Sequence, residues 1–240
     1  MKNFFCFILF INGMIAYTQP IMKDVYEFPV KQGTDEWGQF ETIEKRIAAL
    51  QIPDAILEKI STEGLLETCL YFPYLTDMFF YNNYQNGFEG LMAEFNGFRE
   101  LFKRRELPNV LLQKYRSLTE DVKDISSQNN VEQGMFSFRH FALEFMLAQD
   151  VVLKNLSEEQ EKQLLLLSLE HKKIKRSYSE IFSNLNDLPI NLLYAKKIMK
   201  DFNLKNNEMK KTLSDFIVAP ISVDQQIIDY IENYINVKYK

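Results

Sequence analysis

Residues Ser61–Glu106 read STEGLLETCLYFPYLTDMFFYNNYQNGFEGLMAEFNGFRELFKRRE, and the rhythm of this stretch decides the fold class. Leu65, Leu66, Cys69 and Leu70 recur at three- and four-residue steps, the spacing that lines up one face of a helix. That helix is expected to stop before Pro73, because the residue preceding a proline is pushed out of the helical region. From Tyr74 to Tyr81 only Thr76 and Asp77 interrupt an apolar run, which predicts a deeply buried helix ended by Asn82 and Asn83. Phe88, Leu91, Met92 and Phe95 align in a helix beginning at Gln85, and Asn96-Gly97 signals a turn. Phe98, Leu101 and Phe102 make the next face. Lys103, Arg104 and Arg105 follow at its C-terminal end, where the helix dipole favours cations.

The same rhythm extends in both directions. Thr34 is placed to cap a helix through Trp37, Phe40, Ile43 and Ile47 that ends near Leu50, and Pro53 opens a short helix with Ile56, Leu57 and Ile60 inward. Pro108 opens another through Val110, Leu111, Leu112 and Tyr115. Residues 121–133 (DVKDISSQNNVEQ) are polar and weakly periodic, which reads as a linker or long loop. Longer helices are expected beyond it. One covers 133–156, and Ser157-Glu-Glu-Gln160 is a capping box that starts another reaching toward Phe182. Others run from Pro189 to about Phe202 and from Asn206 to Val218. Ser222-Val-Asp-Gln225 repeats the capping-box pattern before a last helix through Ile227, Ile228, Ile231, Tyr234 and Ile235.

With no strand signal and only 8 Gly and 7 Pro, the expected fold is all-α. It is either an irregular helical array or a solenoid-like stack of short helix pairs, with longer helices in the C-terminal half. No repeat of fixed period is found. The expected organisation is a leader over 1–16, an extended lead-in over 17–33, a short-helix domain over 34–120, the linker, and a helical region over 134–240 that packs separately or with the first.

Met1–Ala16 (MKNFFCFILFINGMIA) carry one lysine, an apolar run and a final small residue, the pattern of a secretory signal peptide cleaved near Ala16. The run is too short to span a bilayer, which takes about 20 apolar residues. Cys6 stands too close to the start for a lipoprotein acylation site. Loss of the leader removes Lys2, so 27 basic residues face 33 acidic ones and the net charge moves from -5 to -6. An acidic chain of this kind lacks the basic face that nucleic acid requires. It also leaves Cys69 without a disulfide partner, so the fold must rest on its core.

The quoted stretch resembles a family of uncharacterised predicted secreted bacterial proteins. The shared pattern has the form I-P-x(n)-S-T-E-x-L-x-E-T-C-L-x-Y-P, then N-x-x-Q-x-G-F-E, then F-N-G-x-x-E-L-x-x-R, and the match covers about Val30 to Leu112. Phe72 stands where a tyrosine is common before the proline. The resemblance implies export and no particular activity, cofactor or site.

No motif carries recognisable catalytic chemistry. A serine hydrolase elbow, G-x-S-x-G, is missing, and Cys69 sits mid-face in LLETCLYF, where a buried thiol is inert. The two histidines, His140 and His171, fall on separate helices. His140 with Glu144 forms an i,i+4 pair that reads as a structural hydrogen bond, so neither a metal nor another cofactor is expected. Glu63, Glu67, Asp77 and Glu89 are the acids from which a glycoside-cleaving pair would be drawn. Tyr81, Asn82, Asn83 and Tyr84 form the candidate binding corner, since tyrosine and asparagine together offer rigid amphipathic contact surface.

The expectation is therefore an exported helical module, periplasmic or extracellular and without a transmembrane segment when mature, that binds an envelope protein or a surface glycan without catalysis. A carboxylate-based hydrolase acting on envelope polysaccharide is the alternative.

Overall fold

The computed structural model describes residues 24–182, 187–201, 207–221 and 225–239. The leader and the Ser222–Gln225 capping box therefore lie outside the described residues in whole or in part. The chain is all-α: among the described residues there are fourteen α-helices, one 3₁₀ helix and no strand. In order they are α1 Asp35–Gly38, α2 Ile43–Ala49, α3 Asp54–Leu57, α4 Thr62–Leu70, the 3₁₀ helix Leu75–Phe80, α5 Tyr84–Glu94, α6 Asn96–Leu101 and α7 Leu107–Tyr115. There follow α8 Leu118–Ile125, α9 Asn130–Leu147, α10 Asp150–Leu153, α11 Glu158–Ser177, α12 Leu188–Asp201, α13 Asn207–Val218 and α14 Gln225–Tyr239.

α4 is built as its sequence dictates. Ser61 caps it by accepting from the Gly64 N–H at 3.0 Å, and Leu65, Leu66, Cys69 and Leu70 are all buried. The lead-in lies across this helix: the Tyr26 N–H donates to Thr68 Oγ1 at 3.0 Å, and the Asp24 carboxylate accepts the Ser61 N–H at 2.7 Å. Beyond the helix, Phe72 and Phe95 stack at 4.3 Å with their planes 9° apart, and Phe28 and Phe98 pack around the pair. Such aromatic pairs add about 0.5–1.5 kcal/mol beyond the area they bury.

Helix α9 runs through the middle, against the 3₁₀ helix, α4, α7, α8, α10 and α12. A stack of repeats would confine each helix to its neighbours in sequence, so this is the irregular array and not the solenoid. One contiguous cluster of buried side chains extends from Trp37 to Ile235.

Several boundaries differ from the expectation. The helix expected from Thr34 to Leu50 is two, because the chain breaks after Gly38 and Thr42 caps α2 by accepting from the Lys45 N–H at 3.3 Å. Ile43 consequently faces solvent. The run Tyr74–Tyr81 is not a buried α-helix: in a 3₁₀ helix side chains three apart share a face, so Leu75 and Met78 point inward while Phe80 is 82% exposed. Asn96-Gly97 opens α6 instead of turning the chain, the break falling at Phe95 with φ -115° and ψ 123°. Asn96 is held by the Ile52 backbone, accepting from its N–H at 3.0 Å and donating to its carbonyl at 2.8 Å. The expected linker over 121–133 largely disappears into α8 and the start of α9, which Asn129 caps. The helix expected over 133–156 is divided into α9 and α10, and α11 begins at its capping box but ends at Ser177.

Two glycines inside helices should respond oppositely to alanine. A Cβ on Gly87 in α5 would run into the backbone carbonyl of Met78, whereas one on Gly134 in α9 meets nothing within 4 Å. Gly134→Ala is expected to raise the unfolding free energy by about 0.5–1 kcal/mol, the usual helix gain. Gly87→Ala is expected to lower it by about 1–3 kcal/mol through overpacking. Urea midpoints read both, and equal shifts of one sign would contradict the close approach of the 3₁₀ helix to α5.

Candidate functional site

The second-half helices bring polar groups into the core at one place. α7 lies against both α9 and α11. His140 and Glu144 stand one turn apart on α9, and His171 and Lys175 one turn apart on α11. Tyr115, at the end of α7, reaches between them. Its hydroxyl donates to Glu144 Oε1 at 2.9 Å, and its ring lies 5.7 Å from that of His140 and 4.0 Å from that of His171. His140 Nε2 is 3.1 Å from the same carboxylate oxygen, while the Lys175 ammonium donates to Glu144 Oε2. Phe136 and Phe182 flank the His140 ring. All five polar side chains are buried.

The electrostatics follow from that burial. Desolvation pushes the Glu144 carboxyl up, but Lys175 and His140 beside it pull further in the other direction and hold it at about 2. Burial lowers His140, and burial together with His140 lowers His171 to about 3, so both imidazoles are neutral at pH 7. His171 Nδ1 is buried without a hydrogen-bond partner. One ligand atom from each of His140, Glu144 and His171 lies within 4.8 Å of the others, the only such set among the described residues. These three could hold a divalent ion. Three residues before Lys175 on α11, Lys172 is paired with Glu232 at 2.6 Å and lies 3.7 Å from Asp187.

His140 also forms part of the wall of a cleft of about 270 Å³ between α4, α7, α8 and α9. Leu70, Leu118, Ile125, Phe136 and Leu143 give it an apolar floor. Its rim carries both charges. Lys114 is bonded to Glu67 at 2.8 Å, Asp121 accepts the Ser117 hydroxyl at 2.6 Å, and Asp124 lies beside them. The Arg139 guanidinium sits 4.4 Å over the exposed ring of Tyr71.

The four residues of the sequence-derived corner have separate surroundings. Tyr81 is 44% exposed and shares a hydrogen bond with Glu94, and Asn82 faces solvent. Asn83 caps α5 by accepting from the Asn86 N–H at 2.8 Å, and Tyr84 packs edge-on against Phe79 and Phe141. Burial raises Asp77, and burial together with the Asp77 charge raises Glu94. The other acids do not join them. Glu63 is exposed at the start of α4, Glu89 accepts from Gln85, and Glu67 is buried in its bond with Lys114. Cys69 is fully buried, which pushes its thiol well up and keeps it protonated.

Sequence reasoning paired His140 with Glu144 as a structural hydrogen bond and named His171 on a separate helix, but did not join Tyr115, His171 and Lys175 to that pair. The available signal was the second i,i+4 pair, His171 with Lys175, on the inner stripe of α11. No helix among the described residues is long and apolar enough to cross a membrane. Comparison of the chain with protein-family models, with curated proteins and with solved structures finds no match in any of the three.

Proposed function

We propose that the chain is an exported, non-enzymatic binding module that works in the bacterial envelope and takes a short segment of an envelope protein into the cleft between α4, α7, α8 and α9. The carrying observation is the cleft's composition: an apolar floor beneath a rim that holds Lys114 and Arg139 beside Glu67, Asp121 and Asp124. A peptide segment presents an aliphatic side chain together with charges and backbone polar groups, and matches that combination. A volume of about 270 Å³ suits one or two residues of it. Tyr71 under Arg139 supplies a rigid aromatic edge of the kind that dominates binding surfaces.

Photo-crosslinking tests the reading. A benzophenone amino acid at position 71 in the exported full chain is expected to capture a defined envelope protein, with capture reduced by Arg139→Ala. The same group at position 81 is the comparison. Crosslinks to glycan at position 81 with none at position 71 would move the site to the Tyr81 corner. There Asp77 and Glu94, whose charges act on each other, are the acids from which a carboxylate-based polysaccharide hydrolase would draw its pair.

A further inference from the structure

The chain has two histidines among 240 residues, on different helices, and the fold brings both to one buried point with their ring centroids 5.6 Å apart. The carboxylate that meets them, Glu144, is equally buried. Two imidazoles and one carboxylate form the donor set that binds Zn²⁺ or Fe²⁺ in sites leaving a coordination position open. Ligand atoms held about 2.1 Å from a single ion lie at most about 4.2 Å apart, so a set already within 4.8 Å needs only side-chain adjustment to close around one.

A purely structural network leaves one observation unexplained. Its hydrogen bonds satisfy Glu144, which accepts from Tyr115 and Lys175 and meets His140, yet His171 Nδ1 stays buried and unpartnered. Such a group keeps its desolvation penalty with nothing to offset it. An imidazole nitrogen that binds a metal needs no hydrogen-bond donor, and a ligand role accounts for it. The surroundings match as well. Tyr115 donates to the carboxylate, the outer-shell contact that fixes the orientation of a metal ligand. Lys175 neutralises Glu144 when no other cation does.

We propose that His140, Glu144 and His171 bind one divalent transition-metal ion, with the Lys175 ammonium occupying Glu144 in the metal-free chain and giving way when the ion enters past His140 from the cleft. The site goes beyond the peptide-binding reading and stands whether or not the cleft takes a peptide.

Co²⁺ is a suitable probe, because its visible ligand-field bands report nitrogen and oxygen donors directly and no other histidine contributes. Titrating Co²⁺ into the full chain, after treatment with chelator, is expected to develop bands that saturate at one equivalent and are displaced by Zn²⁺. His171→Ala is expected to abolish them; His140→Ala provides the same reading if His171→Ala fails to fold. Lys175→Met is expected to tighten Co²⁺ binding by at least about tenfold, since the ion no longer displaces an ammonium. Wild-type chain without bands overturns the proposal, as do bands that survive loss of both histidines. An affinity unchanged by Lys175→Met overturns the role given to that lysine.

Discussion

Glu144→Gln is expected to lower the unfolding free energy by about 3–5 kcal/mol, the range for breaking a buried ion pair from one side. The substitution keeps the shape of the side chain and leaves an acceptor for Tyr115 and His140, but it strips the Lys175 ammonium of its counter-charge in the core. The size of the loss comes from that stranded charge, not from the intrinsic worth of the pair. Glu144→Gln with Lys175→Met removes both charges and is expected to recover most of the loss, because uncharged groups of similar volume are often tolerated in place of a buried pair. Denaturant unfolding of the two single variants and the double closes the cycle. A double variant as unstable as the sum of the singles would show that the two residues do not act on each other.

Acidification is the second large effect. His171 is held at about 3 in the metal-free fold, against about 6.5 in an unfolded chain. Between those values the unfolded state binds a proton that the folded state refuses, so stability falls as pH falls through the window. From pH 7 to pH 5 this residue alone is expected to cost about 2 kcal/mol. His140, also lowered, acts in the same direction. Glu144, lowered to about 2, adds its loss below the ordinary carboxylate value as pH continues to fall. Urea midpoints measured across pH 5–7 should decline toward acid, and His171→Phe should flatten the decline. A wild-type midpoint constant over that range would contradict the buried neutral imidazoles.

Much of the helix pattern was legible because it is local. Pro108 at the start of α7 and the Ser157–Gln160 capping box each act within four residues, and each helix begins where those residues place it. What periodicity hides is a break that keeps the spacing. Trp37, Phe40, Ile43 and Ile47 look continuous, yet Thr42 restarts the helix and turns Ile43 outward. Apolar composition misleads in a similar way at Tyr74–Tyr81, where the tighter 3₁₀ turn puts Phe80 in solvent. Within the quoted stretch, Asn83 and Asn96 look like turn residues; the structure uses them as a cap and a clasp on Ile52. The buried cluster was only half legible. His140/Glu144 and His171/Lys175 are each visible as one-turn pairs, but nothing in a single sequence says that α9 and α11 both lie against α7.

The single tryptophan gives the molecule its own optical reporter. Trp37 stacks on Tyr74 at 5.8 Å, with the Arg46 guanidinium 5.4 Å from its ring centroid. Its emission therefore follows the seating of α1 on the aromatic core of the first half, while far-ultraviolet ellipticity is weighted by the long helices α9 and α11. Coincident transitions in the two signals would mark one cooperative unit, and an earlier shift in emission would mark the N-terminal helices as the part that lets go first.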